Sequence, residues 1–130
     1  MSTDAGESAI AERKSSAGWA TVYVIAADNG EVKIGYAMAP VSRFVTIRRE
    51  YARKRGFTDA RLVGWVEASQ ADVLEVMAHR HFWPRWISGE WFTLDPEATL
   101  TEIGELWDRV AAIYGEPSCR VVRYQPAAGA

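Results

Sequence analysis

The run TVYVIAADNGEVKIGY, residues 21–36, constrains the fold more tightly than any other part of the chain. Two short stretches rich in β-branched and aromatic residues flank Asn29 and Gly30. Asn-Gly supplies the positive φ angles that a two-residue hairpin turn demands. The pattern predicts an antiparallel hairpin over Thr21–Ala26 and Glu31–Tyr36. Whatever else forms must extend or cover this pair.

The following segments alternate in period. Pro40 suits the first turn of a helix, which is expected to run to Arg55 and stop at Gly56. ARLVGWVEA predicts a strand over Arg61–Glu67. A second helix is expected from Ser69 or Gln70 to Phe82, closed by Pro84. GEWFTL reads as a short strand or extended edge. Asp95 before Pro96 is an N-cap with proline at the first helical position, and the third helix should reach Tyr114. CRVVRY adds a last short strand. The order ββαβαβα implies an α+β domain, with a small, mainly antiparallel sheet flanked by three helices. At 130 residues the chain has room for one such domain. It is expected over residues 18–116, between a polar, disordered tail at 1–17 and an extension at 117–130.

No stretch reads as a signal peptide or a membrane span, so the expected compartment is the cytoplasm, with no membrane partner. The single cysteine, Cys119, excludes an intrachain disulfide and a cysteine-based zinc site. The net charge is −2, but it is unevenly spread. Residues 1–65 hold ten Lys/Arg against seven Asp/Glu, while residues 66–130 hold five against ten. The basic excess lies in RFVTIRREYARKR, where Arg43, Arg48, Arg49, Arg53, Lys54 and Arg55 oppose only Glu50. Such a helix is either a solvated face or a local polyanion-binding face.

LEVMAHRHF, residues 74–82, carries both histidines. At about 100° per residue, Val73, Leu74, Met77 and Ala78 spread over an apolar arc, with Val76 at its edge and His81 in its middle. Asp72, Glu75 and His79 fall on the opposite side. The histidines point apart, so a zinc cluster on this one helix is poor geometry. His81 is expected in the core or as a helix-end hydrogen bonder. Glu75 and His79, four apart, are able to act together or simply to pair on an exposed face. In the third helix Leu100, Ile103, Leu106, Trp107, Val110 and Ile113 form a core stripe whose excess offers a dimer face. Trp91 and Phe92 read as core. Trp83 and Trp86 either line a partner surface or pack against the third helix.

Beyond this helix, the hairpin presents Tyr23 and Lys33, and the first helix presents Arg43. A tyrosine, a lysine, an arginine and a glutamate brought together suit phosphodiester chemistry. Tyr or Lys assists proton transfer to a water, and Arg stabilises phosphoryl oxygens. A single Glu is able to hold Mg²⁺, whose octahedron water and substrate phosphate complete.

TVYVI and VKIGY, with the arginine of VSRF eight residues after Gly35, then LEVMAHRHF and GEWF, resemble the ordered motifs of the GIY-YIG nuclease superfamily, in its phage-T5-type branch. The likeness spans residues 21–94. It implies a Mg²⁺- or Mn²⁺-dependent DNA endonuclease. Tyr23 would be a general base or would position the water, with Lys33 beside it where many members have tyrosine. Arg43 would contact the scissile phosphate, and Glu75 would hold the metal. His79 would stand at the rim, and Gly35 would keep the cleft open. DNA would be held through its backbone by Arg48, Arg49, Arg53, Lys54 and Arg55. Targeting would come from a homodimer or a separate partner. Ile47 stands where many members carry His or Tyr, with Tyr51 or Tyr36 as candidates for its place. A catalytically weak or inactive module, binding nucleic acid or protein, therefore stays open beside the nuclease.

Overall fold

A computed structural model describes residues 18–126. The tail expected at 1–17 and the end of the extension, 127–130, lie outside the described residues. The fold is α+β. Strands β1 (Thr21–Ala27) and β2 (Glu31–Ala37) form the hairpin, followed by helix α1 (Pro40–Arg55) and strand β3 (Ala60–Glu67). Helix α2 (Ala71–His81) leads through one 3₁₀ turn, Trp83–Arg85, into β4 (Trp86–Ser88) and β5 (Trp91–Thr93). Helix α3 (Pro96–Tyr114) and β6 (Arg120–Arg123) complete the chain. The six strands run in the order β4-β5-β2-β1-β3-β6, every neighbour antiparallel.

Both faces of the central strands are covered, which explains their near-continuous apolar sequence. Alternate residues of β1 serve two cores. Val22 and Val24 join Leu74, Phe82, Leu100, Ile103 and Trp107 beneath α2 and α3. Tyr23 and Ile25 join Ile47, Phe57, Trp65 and Trp91 on the α1 side. The sheet is thus the middle of three layers. Asp95 caps α3 as expected, its Oδ2 accepting from the Ala98 N–H at 2.8 Å. Gly115 ends that helix in the left-handed conformation, at φ 71°.

Two expectations change, and of the two readings of His81 the helix-end one holds. The buried face of α2 is Ala71, Leu74 and Ala78, while Val73 and Val76 are exposed. The arc is rotated because the helix packs across three elements, β1, β2 and α3, rather than on one. His81 is consequently outside the core, at the end of α2, where its Nε2 meets the Glu102 carboxylate at 2.8 Å. Ile113 is exposed, off the face on which Leu100, Ile103, Trp107 and Ala111 are buried. The GEWF segment also brings a partner that periodicity did not show. β4 is only three residues long and pairs with β5 at the sheet edge.

Candidate active site

The site grows from a strand that runs out of partners. β5 pairs with β2 only at Glu31, Val32 and Lys33. Beyond Lys33, the outward backbone groups of Ile34 and Tyr36 have no strand to meet, and unpaired backbone groups away from water are costly. Three side-element contacts satisfy them. The Ile34 N–H donates to the Glu90 carbonyl oxygen at 3.0 Å. His79 Nε2 lies 2.8 Å from the Ile34 carbonyl oxygen. A carbonyl only accepts, so this ring nitrogen carries a proton and donates. The Tyr36 N–H donates to the Glu75 carboxylate. Helix α2 therefore stands in for the missing strand, and this is what seats Glu75 and His79.

Glu75, His79 and Glu90 each offer one ligand atom, all within 4.8 Å of one another. The Glu75 and Glu90 carboxyls are hydrogen-bonded to each other. Burial first, then the neighbouring negative charge of Glu90, pushes the Glu75 carboxyl from its usual 4.5 to about 7, against the pull of Lys33 and the Tyr36 N–H. A pair of carboxylates this close resists double ionisation, and a cation between them would remove that conflict. The donor set fits a hard divalent cation on the two glutamates. His79 has its Nε2 engaged by Ile34 and sits 3.9 Å from Glu75 Oε2. It is placed to orient Glu75.

On the α1 side of β2, Lys33 is buried and ion-paired with Glu90 Oε1. Its Nζ lies 6.0 Å from the Tyr23 ring centroid and 5.9 Å from that of Tyr51. Arg43, in the first turns of α1, donates to the Tyr23 hydroxyl. Burial, then the charges of Glu90 and Glu75, raise the Tyr23 phenol well above its ordinary value, with Arg43 acting the other way. Tyr23 is a neutral phenol, suited to positioning a water rather than to standing ready as phenolate.

Gly35 is the position directly opposite Tyr23 on β2. A Cβ there would stand 2.2 Å from the tyrosine hydroxyl oxygen and 2.4 Å from Cζ. The missing side chain leaves the space in which the Tyr23 ring lies across the strand.

The residues expected from sequence thus meet as one group. Tyr23 and Arg43 touch, Lys33 and Glu75 both reach Glu90, and His79 adjoins Glu75. Glu90 is the member that sequence reasoning missed. Its signal was a charge immediately before a strand whose next two residues are core, on the strand that pairs with Lys33. Ile47 is core, 3% exposed. Tyr51 borders the group through Lys33, whereas Tyr36 lines an exposed groove with Ser42, Arg43 and Thr46.

The basic stretch of α1 divides. Arg49 and Lys54 are exposed. Arg48 is exposed too, but pairs with Asp59 at 2.8 Å. The Arg53 side chain lies outside the described residues. Arg55 is built into the fold. Its guanidinium meets Glu31 Oε1 at 2.9 Å and Ser88 Oγ at 2.9 Å, and lies 4.8 Å from the Trp91 ring centroid. Arg55→Ala should therefore cost about 2 kcal/mol, since partly buried charge-assisted bonds on β2 and β4 are both lost. Arg49→Ala should cost nothing measurable. Urea melts of the two variants decide; equal stability would remove the bracing role of Arg55.

Comparison with protein families, with curated proteins and with solved structures found no match. Among the described residues, no helix is long and apolar enough to cross a membrane.

Proposed function

We propose that the protein is a divalent-metal-dependent DNA endonuclease of the GIY-YIG type. The observation that carries this reading is the meeting of Tyr23, Lys33, Arg43 and Glu75 around Glu90, although the five come from separate segments. Core packing alone has no use for two carboxyl groups that share a proton in a hydrogen bond beside a buried lysine.

Mg²⁺ or Mn²⁺, when bound by Glu75 and Glu90, would supply Lewis-acid stabilisation of the oxygen that leaves phosphorus. The chain supplies the rest. Arg43, an exposed residue, holds the scissile phosphate and offsets charge on its non-bridging oxygens. The Tyr23 hydroxyl fixes the attacking water in line. Lys33, paired with Glu90, favours by its positive charge the loss of the water's proton to bulk solvent. His79 keeps Glu75 turned toward the cation. Arg49 and Lys54 offer exposed charge to the DNA backbone, with Arg48 beside them.

The test is nicking of duplex, branched and single-stranded DNA with Mg²⁺ or Mn²⁺, against a chelator control. Cutting that needs the metal is the expected result. No cutting of any of the three with any divalent metal would sink the reading. A module that binds without cutting is the second reading, favoured by Ile47, because the turn after Arg43 offers core instead of a polar group. It predicts salt-sensitive DNA binding that Glu75→Ala leaves intact.

A further inference from the structure

Helix α2 and the turn after it place a second feature beside the acidic group. Trp83 and Trp86 stack with ring centroids 4.7 Å apart and planes 17° from parallel. Both are open to solvent, Trp83 at 58% and Trp86 at 42%. Trp86 is fixed from behind, its indole N–H donating to the Gly89 carbonyl oxygen at 2.9 Å. Rigid indole surface left in water marks a contact surface more often than waste. Trp83 lines one groove with Val76, His79 and Arg80. His79 belongs to both features. The ring that lines the groove also supplies an atom to the Glu75–Glu90 group, within 4.8 Å of their oxygens. The groove therefore begins where the acidic group ends.

We propose that this groove seats an unpaired nucleobase next to the scissile phosphate, so that the substrate is DNA with a single-stranded segment. The inference rests on the nuclease reading above. A phosphate held beside Glu75 and Glu90 would have His79, and so the groove that His79 lines, as a direct neighbour. Trp83 offers that base a flat π-face, which accepts any base without reading it. Arg80 places a cation at the same groove, and among the described residues no carboxylate lines it, so its charge suits a polyanion. A base inside a duplex must first leave its stack, which costs energy; an unpaired base enters freely.

The experiment measures binding in chelator, so that nothing is cut. Labelled oligothymidylate and a blunt duplex of equal length are titrated against the whole chain, reading polarisation and tryptophan quenching. The oligothymidylate should bind more tightly and quench. Trp83→Ala should weaken it about tenfold, bringing its affinity toward that of the duplex, and Trp83→Phe should restore most of the difference. Equal weakening of both ligands, or of neither, overturns the base seat. So does a wild-type dimer that Trp83→Ala turns monomeric with the affinity ratio intact, since a second copy would then cover the groove. The two readings fail separately. Discrimination by Trp83 without cutting under any metal removes the nuclease and keeps the base seat. Cutting without discrimination does the reverse.

Discussion

Glu75→Ala is expected to abolish metal-dependent cleavage, by at least about 10³-fold, because it removes a cation ligand and the charge that the cation answers. Glu75→Gln should lose as much activity, yet melt higher than the wild type in mildly alkaline chelator buffer. The sign follows from where the proton sits. Below the ordinary carboxylate value of 4.5, folded and unfolded chains both hold the Glu75 proton. Between 4.5 and about 7 the unfolded chain releases it while the folded chain keeps it. The folded state then binds more protons, so stability falls as pH rises through that window and stays lowered above it. Glutamine keeps the shape and escapes the charge conflict. The gain should be a few degrees, about 4 °C for each kcal/mol relieved. Added Mg²⁺ or Mn²⁺ should stabilise the wild type and leave Glu75→Gln unmoved. Parallel pH–melting curves for the two proteins, with no response to metal in either, would remove Glu75 from any cation site.

Gly35→Ala has the second large effect. The added Cβ meets Tyr23 at 2.2 Å, against a ring that is 1% exposed and packed among Ile47, Trp65 and Trp91. The ring has nowhere to retreat, and overpacking of this kind costs about 3 kcal/mol. Any surviving fold displaces the Tyr23 hydroxyl, and a 1 Å misplacement costs about 10² in rate. Tyr23→Leu in the Gly35→Ala background separates the two effects. It should recover part of the stability and none of the cleavage. If Gly35→Ala melts and cuts like wild type, the close approach of Tyr23 to β2 is not needed.

The legible parts of this molecule were those written in local pattern. Asn29-Gly30 announced the hairpin, Pro40 and Asp95-Pro96 announced helix starts, and the β-branched and aromatic run of β1 announced a strand. Tyr23, Lys33, Arg43, Glu75 and His79 were legible as a set only through the order of weak motifs. Their chemistry alone did not say that they meet. The misread positions share one cause. The faces of α2 depend on what it packs against, and a helical wheel drawn from the sequence carries no knowledge of β2's unpaired edge. Val73 was placed wrongly for that reason, and of the two readings of His81 the helix-end one holds. Glu90 was hidden likewise, since its role comes from β5 ending where it does, and a strand's end is a tertiary event. Arg55 looked like one more cation of a basic run, and only the approach of Glu31, Ser88 and Trp91 gives it a different task.

The early end of β5 also divides the group along the chain. Tyr23, Lys33 and Arg43 bring the phenol, the ammonium and the guanidinium from the hairpin and the helix that follows it. The two carboxyls, Glu75 and Glu90, come from α2 and from the residue before β5, where the Glu90 carbonyl meets the Ile34 N–H. A chain cut before α2 would carry the basic half of the group without its acidic half.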